Sequence, residues 1–247
     1  MTFSFRGVLA DAVTLWRTDR ELMWPIAGVF LFLPLLGMFI LATTSGVQLP
    51  KGDDPAQTRE VLNAFLLANI GWFGLIIALT EFGGLALLSL YLRRGETVGV
   101  VLLSSVQRLI PFFLIGIVVN VPIQLASYLL IVPAIYVFGR TWMMGVAFAA
   151  EPTRGAWQAM VRGFELSDKN GWKIGFFALG LALFIGASML SIAVVILAIA
   201  APLAGGSQSA ALLVLVPIAL VVTASWVFFT LVRIALYRRL GGSINGM

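Results

Sequence analysis

The chain has 247 residues, of which 60% are hydrophobic and only 11% are charged. A soluble globular domain has about 45–50% apolar and about 25% charged residues, so this composition argues against a water-soluble fold. The chain has neither cysteine nor histidine, which excludes disulfides, thiol metal sites and histidine chemistry. The formal net charge is +5, and the cations lie at the ends of apolar runs, which indicates membrane anchoring rather than nucleic-acid binding.

Six apolar runs are long enough to cross a hydrocarbon core, which takes about 20 helical residues. The sequence therefore predicts an all-α, polytopic helical membrane bundle that forms one transmembrane domain over residues 1–247. The second run is longer than a straight crossing needs, and Pro34 is expected to kink the first. Pro133 is expected to separate the third run from the fourth at a tight turn. The runs cover residues 22–43, 61–92, 109–132, 133–150, 172–201 and 210–237.

Three shorter amphipathic stretches, at 5–16, 96–108 and 152–166, each precede a pair of spans. They are too short and too charged to cross a bilayer, so we expect three cytoplasmic interfacial helices. Ser4 is a candidate N-cap for the first, whose alternative is a loosely ordered terminus, and Asp54 is a candidate N-cap before Pro55. The apolar positions of the three stretches are Phe5, Val8, Leu9, Ala12, Leu15 and Trp16; Val98, Val101, Leu102 and Val106; and Trp157, Met160, Val161 and Phe164.

The distribution of basic residues predicts the orientation. With six spans, 13 of the 16 basic residues fall on the face that carries both termini, so this face is expected to be cytoplasmic. The order of interfacial helix, outward span and returning span also suggests three parallel repeat units, at about 5–95, 96–151 and 152–240. The 13 residues are Arg6, Arg17, Arg20, Arg93, Arg94, Arg108, Arg154, Arg162, Lys169, Lys173, Arg233, Arg238 and Arg239.

Glu81 and Arg140 are the two ionisable residues near the middle of a predicted span. Each costs about 2.5–3.5 kcal/mol at a helix centre, so the two are expected to pair. Each lies roughly 17 Å from the cytoplasmic end of its span if the helices are straight. Asn120 lies at a similar height with Gln124 one turn away, and Glu151 faces the same side as Arg140. These five residues are predicted to form a buried polar layer, which is either a structural ion pair or a ligand site.

Other patterns bear on packing and on lipids. No serine elbow, phosphate loop or zinc motif occurs, so neither a metal nor a cofactor is expected. Gly83 and Gly84, and Gly180 and Gly186, are expected to allow close helix packing. The three basic stretches are expected either to bind anionic lipids or to provide ordinary positive-inside anchoring.

The segment 133–173 reads PAIYVFGR, then Glu151, then AWQAMVRGFEL, then NGWK. It resembles the membrane-domain family found fused to bacterial glycerophosphoryl diester phosphodiesterases and also found alone in inner-membrane proteins. Two places depart from the family pattern, at Gly163 and at the order Asn170-Gly171. The resemblance implies a helical inner-membrane domain. It does not imply phosphodiesterase activity, because this chain carries no soluble catalytic domain. The family positions are occupied by Pro133, Tyr136, Arg140, Glu151, Ala159, Leu166, Asn170 and Trp172.

The sequence as a whole favours a non-enzymatic bacterial inner-membrane protein with a scaffolding or lipid-associated role. The alternative is a small-solute or lipid transporter that uses the polar layer around Arg140. The expected partners are the phospholipid bilayer, including anionic lipids, and a membrane-protein partner or a second copy of the chain. A membrane enzyme would need several polar groups that converge on one cleft, and the sequence indicates none.

Overall fold

The computed structural model describes residues 4–45, 55–93, 95–129, 131–168, 170–204 and 208–241. Within these residues the chain is helical and has no strand, which confirms the all-α prediction. The helices are α1 (Phe5–Thr18), α2 (Arg20–Ala27), α3 (Leu33–Thr44), α4 (Pro55–Ala68), α5 (Ile70–Leu92), α6 (Val98–Gln107), α7 (Leu109–Leu129), α8 (Ile131–Thr141), α9 (Met144–Ala150), α10 (Ala156–Leu166), α11 (Gly171–Ala204) and α12 (Gln208–Gly241).

Six helical stretches of the described chain are long and apolar enough to cross a membrane, as the sequence predicted. The protein is therefore a multi-pass membrane protein with a helical bundle architecture. The short helices α1, α6 and α10 each precede two of these stretches, while the division into three repeat units stays a prediction. The stretches are Arg20–Thr44, Ile70–Leu92, Leu109–Tyr128, Ile131–Ala150, Gly171–Ile199 and Val214–Gly241.

The first span contains a π-helical turn, Gly28–Phe32, between α2 and α3. Leu33 donates its backbone N–H to the carbonyl of Gly28, five residues earlier. The next residue is Pro34, which has no N–H to continue the α-helical ladder, and an i→i+5 turn accommodates this loss. The structure thus shows a π-helical turn just before Pro34, and the expected kink stays a prediction.

The second span is shorter than predicted, because the run 61–92 is divided at Asn69 into α4 and α5. Asn69 leaves the helical conformation, and its side-chain Nδ2 donates to the carbonyl of Phe65 at 2.9 Å. Asparagine competes with the backbone for hydrogen bonds in this way, which ends helices locally. The candidate cap Asp54 lies outside the described residues.

The turn between the third and fourth spans is tight, as expected, because α8 begins two residues after α7 ends. Pro133 lies in the first turn of α8, where the missing N–H leaves no helical hydrogen bond unmade. Pro133 therefore lies inside the first turn of the fourth span, two residues after its start, and does not separate the two spans as the sequence predicted.

The short helix α1 is positioned by the apolar stripe found in the sequence. Val8, Ala12 and Leu15 are buried, and α1 packs against α12. Ser4 accepts the N–H of Gly7 through its hydroxyl at 3.3 Å, which confirms the predicted N-cap. Asp11 also accepts a hydrogen bond from the Nε atom of Arg239 at 2.6 Å, which ties the first helix to the last.

The buried face of α6 differs from the prediction. Val101 and Ser105 face the protein, whereas Val98 and Val106 are exposed. The hydroxyl of Ser105 donates to the carbonyl of Val101 at 2.8 Å, so this serine enters the core without an unpaired donor. Of the apolar residues expected on one face of α6, Val101 therefore packs against the protein, whereas Val98 and Val106 face outward.

Most of the glycines that the sequence predicted at close helix contacts do not lie at such contacts, and another glycine, Gly139, does. A Cβ on Gly139 of α8 would lie 2.6 Å from the backbone nitrogen of Gly175 and would also collide with the carbonyl of Gly171. Gly83 does pack tightly, because a Cβ there would lie 2.7 Å from the Cβ of Phe30. The expected close packing at Gly84, Gly180 and Gly186 is wrong, because a Cβ on any of them would meet nothing within 4 Å.

Candidate functional site

The fourth span is broken where its buried polar groups gather. Helix α8 ends at Thr141, Trp142 and Met143 form a turn, and α9 resumes at Met144. Helix α9 is buried from Gly145 to Ala149, so most of its backbone is shielded from the surroundings. A helix end of this kind leaves carbonyl groups without intrahelical partners, and the protein must supply donors for them.

Arginines from neighbouring elements supply these donors. Arg93, at the end of α5, donates from Nε to the carbonyl of Ala149 at 3.1 Å. Arg108, between α6 and α7, donates from Nη2 to the carbonyls of Phe148 at 2.8 Å and Glu151 at 3.3 Å. Cations at a helix C-terminus also offset the negative end of the helix dipole. The end of α9 is thus capped by two arginines that lie at least 40 residues away in sequence from the carbonyls they bind.

Arg108 also stacks on the helix that it caps, with its guanidinium carbon 3.9 Å from the centre of the Phe148 ring. Burial, together with the neighbouring charge of Arg93, lowers the pKa of Arg108 to about 10. Because about 10 is still far above neutral pH, Arg108 stays charged and keeps its hydrogen bonds.

The turn in the fourth span receives a third arginine. Arg233 of α12 donates from Nη2 to the carbonyl of Trp142 at 3.1 Å. Its neighbour on α12, Arg238, donates to the carbonyl of Tyr91 near the end of α5. Arginine suits this role because its planar group presents several donors in fixed directions. These contacts join α5, the broken span and α12 through backbone carbonyls.

Arg140 does not pair with Glu81, so that prediction is wrong. Its Nη1 atom lies 2.9 Å from Oδ1 of Asp168, in the turn between α10 and α11. Its guanidinium carbon lies 3.8 Å from the centre of the Phe164 ring. The side chain of Arg140 is 9% exposed, whereas that of Asp168 is 63% exposed. Arg140 therefore directs its charge to a partly hydrated turn.

The physical reason for the altered pairing is the local packing of α8. The Arg140 side chain runs alongside Gly171 at the start of α11, where a Cβ would lie 2.7 Å from its Cδ atom. The hydroxyl of Ser167 donates to the carbonyl of Arg140 at 2.7 Å, which fixes the turn against α8. The height estimate assumed a straight fourth helix and could not include these contacts.

Glu151 lies in a second polar cluster, after the end of α9. Its carboxylate lies 2.6 Å from Nε of Arg154 and 4.0 Å from Nε of Arg162. The hydroxyl of Tyr237 donates to its Oε1 atom at 3.3 Å. The two arginines are the basic neighbours expected from the sequence, and Tyr237 adds a link to α12.

Glu81, Asn120 and Gln124 lie together in a third place, a groove of about 360 Å³ between α5 and α7. Asn120 donates from Nδ2 to the carbonyl of Gly116, four residues earlier on its own helix, at 2.9 Å. Among the described residues, Arg233 of α12 supplies a charge that acts on Glu81. Neither Arg140 nor Glu151 lines this groove, so the predicted five-residue layer is divided among three sites.

Two residues of the resemblance, Tyr136 and Trp172, pack α8 against α11. Tyr136 and Trp172 have ring centres 5.1 Å apart, and the carbonyl of Asn170 accepts the N–H of Ile174 in the first turn of α11. Leu166 is buried at the end of α10, and Pro133 lies at the start of α8. The segment 133–173 thus carries helix-packing contacts, and the ion pair of Arg140 lies among them.

Sequence reasoning missed the residues that organise this packing. Gly171 and Gly175 have Gly-x-x-x-Gly spacing, which is a known signal for close approach of membrane helices and could have identified the α8–α11 contact. Asp168 gave no comparable signal, because it is one polar residue in a turn. The arginine caps were also not predictable, since they depend on which helices are neighbours.

No family model, curated protein or solved structure matches this chain. The family resemblance of the segment 133–173 stays a prediction.

Proposed function

We propose that this protein is a non-enzymatic scaffold of the bacterial inner membrane that works in association with lipids. The observation that carries the proposal is the state of Arg140, which is buried, paired with Asp168 and stacked on Phe164. A transport site in a bilayer needs polar groups that remain open to a solute, whereas this charge is committed to internal contacts.

Three other arginines, of which Arg93 is buried and Arg108 and Arg233 are half-buried, support the same proposal. Arg93, Arg108 and Arg233 donate to backbone carbonyls of the broken fourth span. In hydrocarbon, backbone groups without partners cost several kcal/mol each, so these contacts stabilise an irregular backbone. We infer that the arginine network holds the shape of the bundle.

Lipid association is supported by the outward faces of the short helices. In α10, Ala159, Gly163 and Leu166 are buried against the protein, while Trp157 is 73% exposed and Val161 is also exposed. Arg154 and Arg162 have carboxylate neighbours, so their charges are largely offset within the protein. This arrangement favours apolar anchoring at the interface over recognition of anionic lipids.

The proposed orientation places both termini in the cytoplasm. It is supported by the positive-inside bias of the basic residues, of which Arg94 and Lys169 lie outside the described residues. A reporter fused to the C-terminus tests it. Cytoplasmic reporter activity is expected, and a C-terminus exposed outside the cytoplasm would contradict the orientation.

The alternative function is transport of a small solute or a lipid, and the observation that favours it is the groove at Glu81. Most of the α7 residues that line this groove are exposed, and the groove holds a carboxylate and two carboxamides. Transport would therefore use Glu81 in place of the Arg140 layer expected from the sequence.

The test is a flux assay with the protein in proteoliposomes, together with native mass spectrometry after gentle purification. We expect bound phospholipid, no solute flux above that of protein-free vesicles, and the same result for Glu81→Gln. Flux that Glu81→Gln abolishes, while the matched surface change Glu165→Gln preserves it, would overturn the scaffold proposal in favour of transport. Glu165 is a suitable control because it is an exposed carboxylate on α10.

A further inference from the structure

The outward face of α7 is a continuous stripe without a neighbour in the described chain. Its residues recur at spacings of three and four, which place them on one side of a helix. The apolar members are between 42% exposed, at Phe113, and 61% exposed, at Leu125. Together with Glu81 of α5, the face that lines the groove consists of Phe113, Gly116, Ile117, Asn120, Val121, Gln124 and Leu125.

The hydrogen-bonding capacity of this stripe is only partly used among the described residues, although the charge of Arg233 acts on Glu81. The carboxylate of Glu81 and the side chain of Gln124 form no hydrogen bond with any described residue, and Asn120 bonds only to its own helix. All three lie in helices that are long and apolar enough to cross the membrane. Polar groups facing lipid are costly, and in membrane proteins such groups bind helices to one another.

The shape of the groove fits a helix. The stripe extends from Phe113 to Leu125, which is about 18 Å along the axis of α7. Gly116 lies within it, and a Cβ there would meet nothing within 4 Å, so the backbone of α7 can be approached closely. Small residues at such a point allow two membrane helices to pack backbone to backbone.

We propose that α7 of a second copy of this chain docks in the groove, so that the protein forms a symmetric dimer about α7. Hydrogen-bond complementarity selects this occupant, because a carboxamide both donates and accepts and therefore matches its own symmetry mate. Asn120 and Gln124 of one copy supply the donors that Glu81 of the other copy lacks. The dimer removes the exposed polar groups of both copies from lipid at once.

Cysteine cross-linking in membranes tests the dimer directly, because the natural chain has no cysteine. Ile117→Cys and Val121→Cys place a thiol on the groove face of α7. Phe184→Cys is the control, since Phe184 is 72% exposed on a different span, α11. Oxidation is expected to give dimers of the two α7 variants and monomers of the control. Equal cross-linking at Phe184, or none at either α7 position, would overturn the proposal.

Energy transfer between labelled copies in liposomes, measured on dilution with lipid, tests the proposed contacts. Asn120→Leu with Gln124→Leu is expected to weaken dimerisation about tenfold, because interhelical hydrogen bonds are lost. Gly116→Leu is expected to weaken it at least as much by blocking close approach, and open space around Gly116 lets the monomer accept the change. Ser191→Leu, at an exposed polar residue of α11, is the matched control and should change nothing.

Unfolding followed by tryptophan fluorescence is measured in parallel and should be unchanged in these variants. Retention of dimers by folded Gly116→Leu would overturn the α7 interface. A monomeric wild-type chain that carries a bound amphiphile or a different protein in the groove would also overturn it. The proposal stands apart from the scaffold proposal, because flux can be absent whether or not the chain is dimeric.

Discussion

Substitutions at Arg140 and Asp168 can distinguish the observed ion pair from the Arg140–Glu81 pair that the sequence predicted. The pair has an N–O distance of 2.9 Å, and two unit charges at about 3 Å attract by about 5 kcal/mol at an effective dielectric constant of about 20. Asp168 is 63% exposed, so hydration and screening reduce the measurable coupling to about 1 kcal/mol. The stacking of Arg140 on Phe164 adds about 1 kcal/mol to the effect of losing Arg140 alone.

The assay is a pair of double-mutant cycles on the free energy of unfolding in mixed detergent micelles. One cycle combines Arg140→Met with Asp168→Asn, and we expect a coupling energy of about 1 kcal/mol. The other combines Arg140→Met with Glu81→Gln, and we expect less than about 0.5 kcal/mol, because the two residues share no contact. A direct buried pair would instead lose about 3–5 kcal/mol when one member is removed. Stronger coupling of Arg140 to Glu81 than to Asp168 would refute the reasoning.

Three further predictions concern packing, capping and the helix termini. Gly139→Ala should cost about 3 kcal/mol of unfolding free energy because its Cβ meets the backbone of α11, whereas Gly180→Ala should stabilise by about 0.5–1 kcal/mol. Arg108→Met should cost about 1–3 kcal/mol by leaving carbonyls of α9 unpaired, with exposed Arg17→Met as a near-neutral control; equal effects would contradict the capping role. The hydrogen bond from Arg239 lowers the pKa of Asp11 below its ordinary value of 3.8. Its stabilisation is therefore complete above that value and lost as pH falls through the lowered pKa. The difference in unfolding midpoint between wild type and Asp11→Asn should be present at pH 6 and shrink toward pH 3; a constant difference would contradict this.

The scaffold and dimer proposals assign different roles to the polar residues of the spans. Arginines that donate to carbonyls of the same chain stabilise one copy, as Arg93 and Arg108 do at the end of α9. Asn120 and Gln124 face outward, and their hydrogen-bonding capacity remains available to a second helix. A polar side chain that points into the bundle thus stabilises one copy, whereas one that points outward is available to bind a second copy. Both arrangements lower the number of unpaired polar groups in the membrane.

The sequence by itself determined the features that depend on local physical chemistry. Length and hydropathy identified six spans, because a helix must satisfy its own backbone across the hydrocarbon. The stripe Val8, Ala12 and Leu15 identified the buried face of α1, and the spacing of Glu151 and Arg154 placed those two charges within reach of each other.

Only the tertiary structure decided which polar groups meet across helices. A straight-helix calculation placed Arg140 level with Glu81, but the α8–α11 contact at Gly139 brings Arg140 to Asp168. Glu81 instead shares a groove with Asn120 and Gln124. The reason is that pairing requires the rotation and neighbours of each helix, and these follow from close packing among residues that lie far apart in the chain.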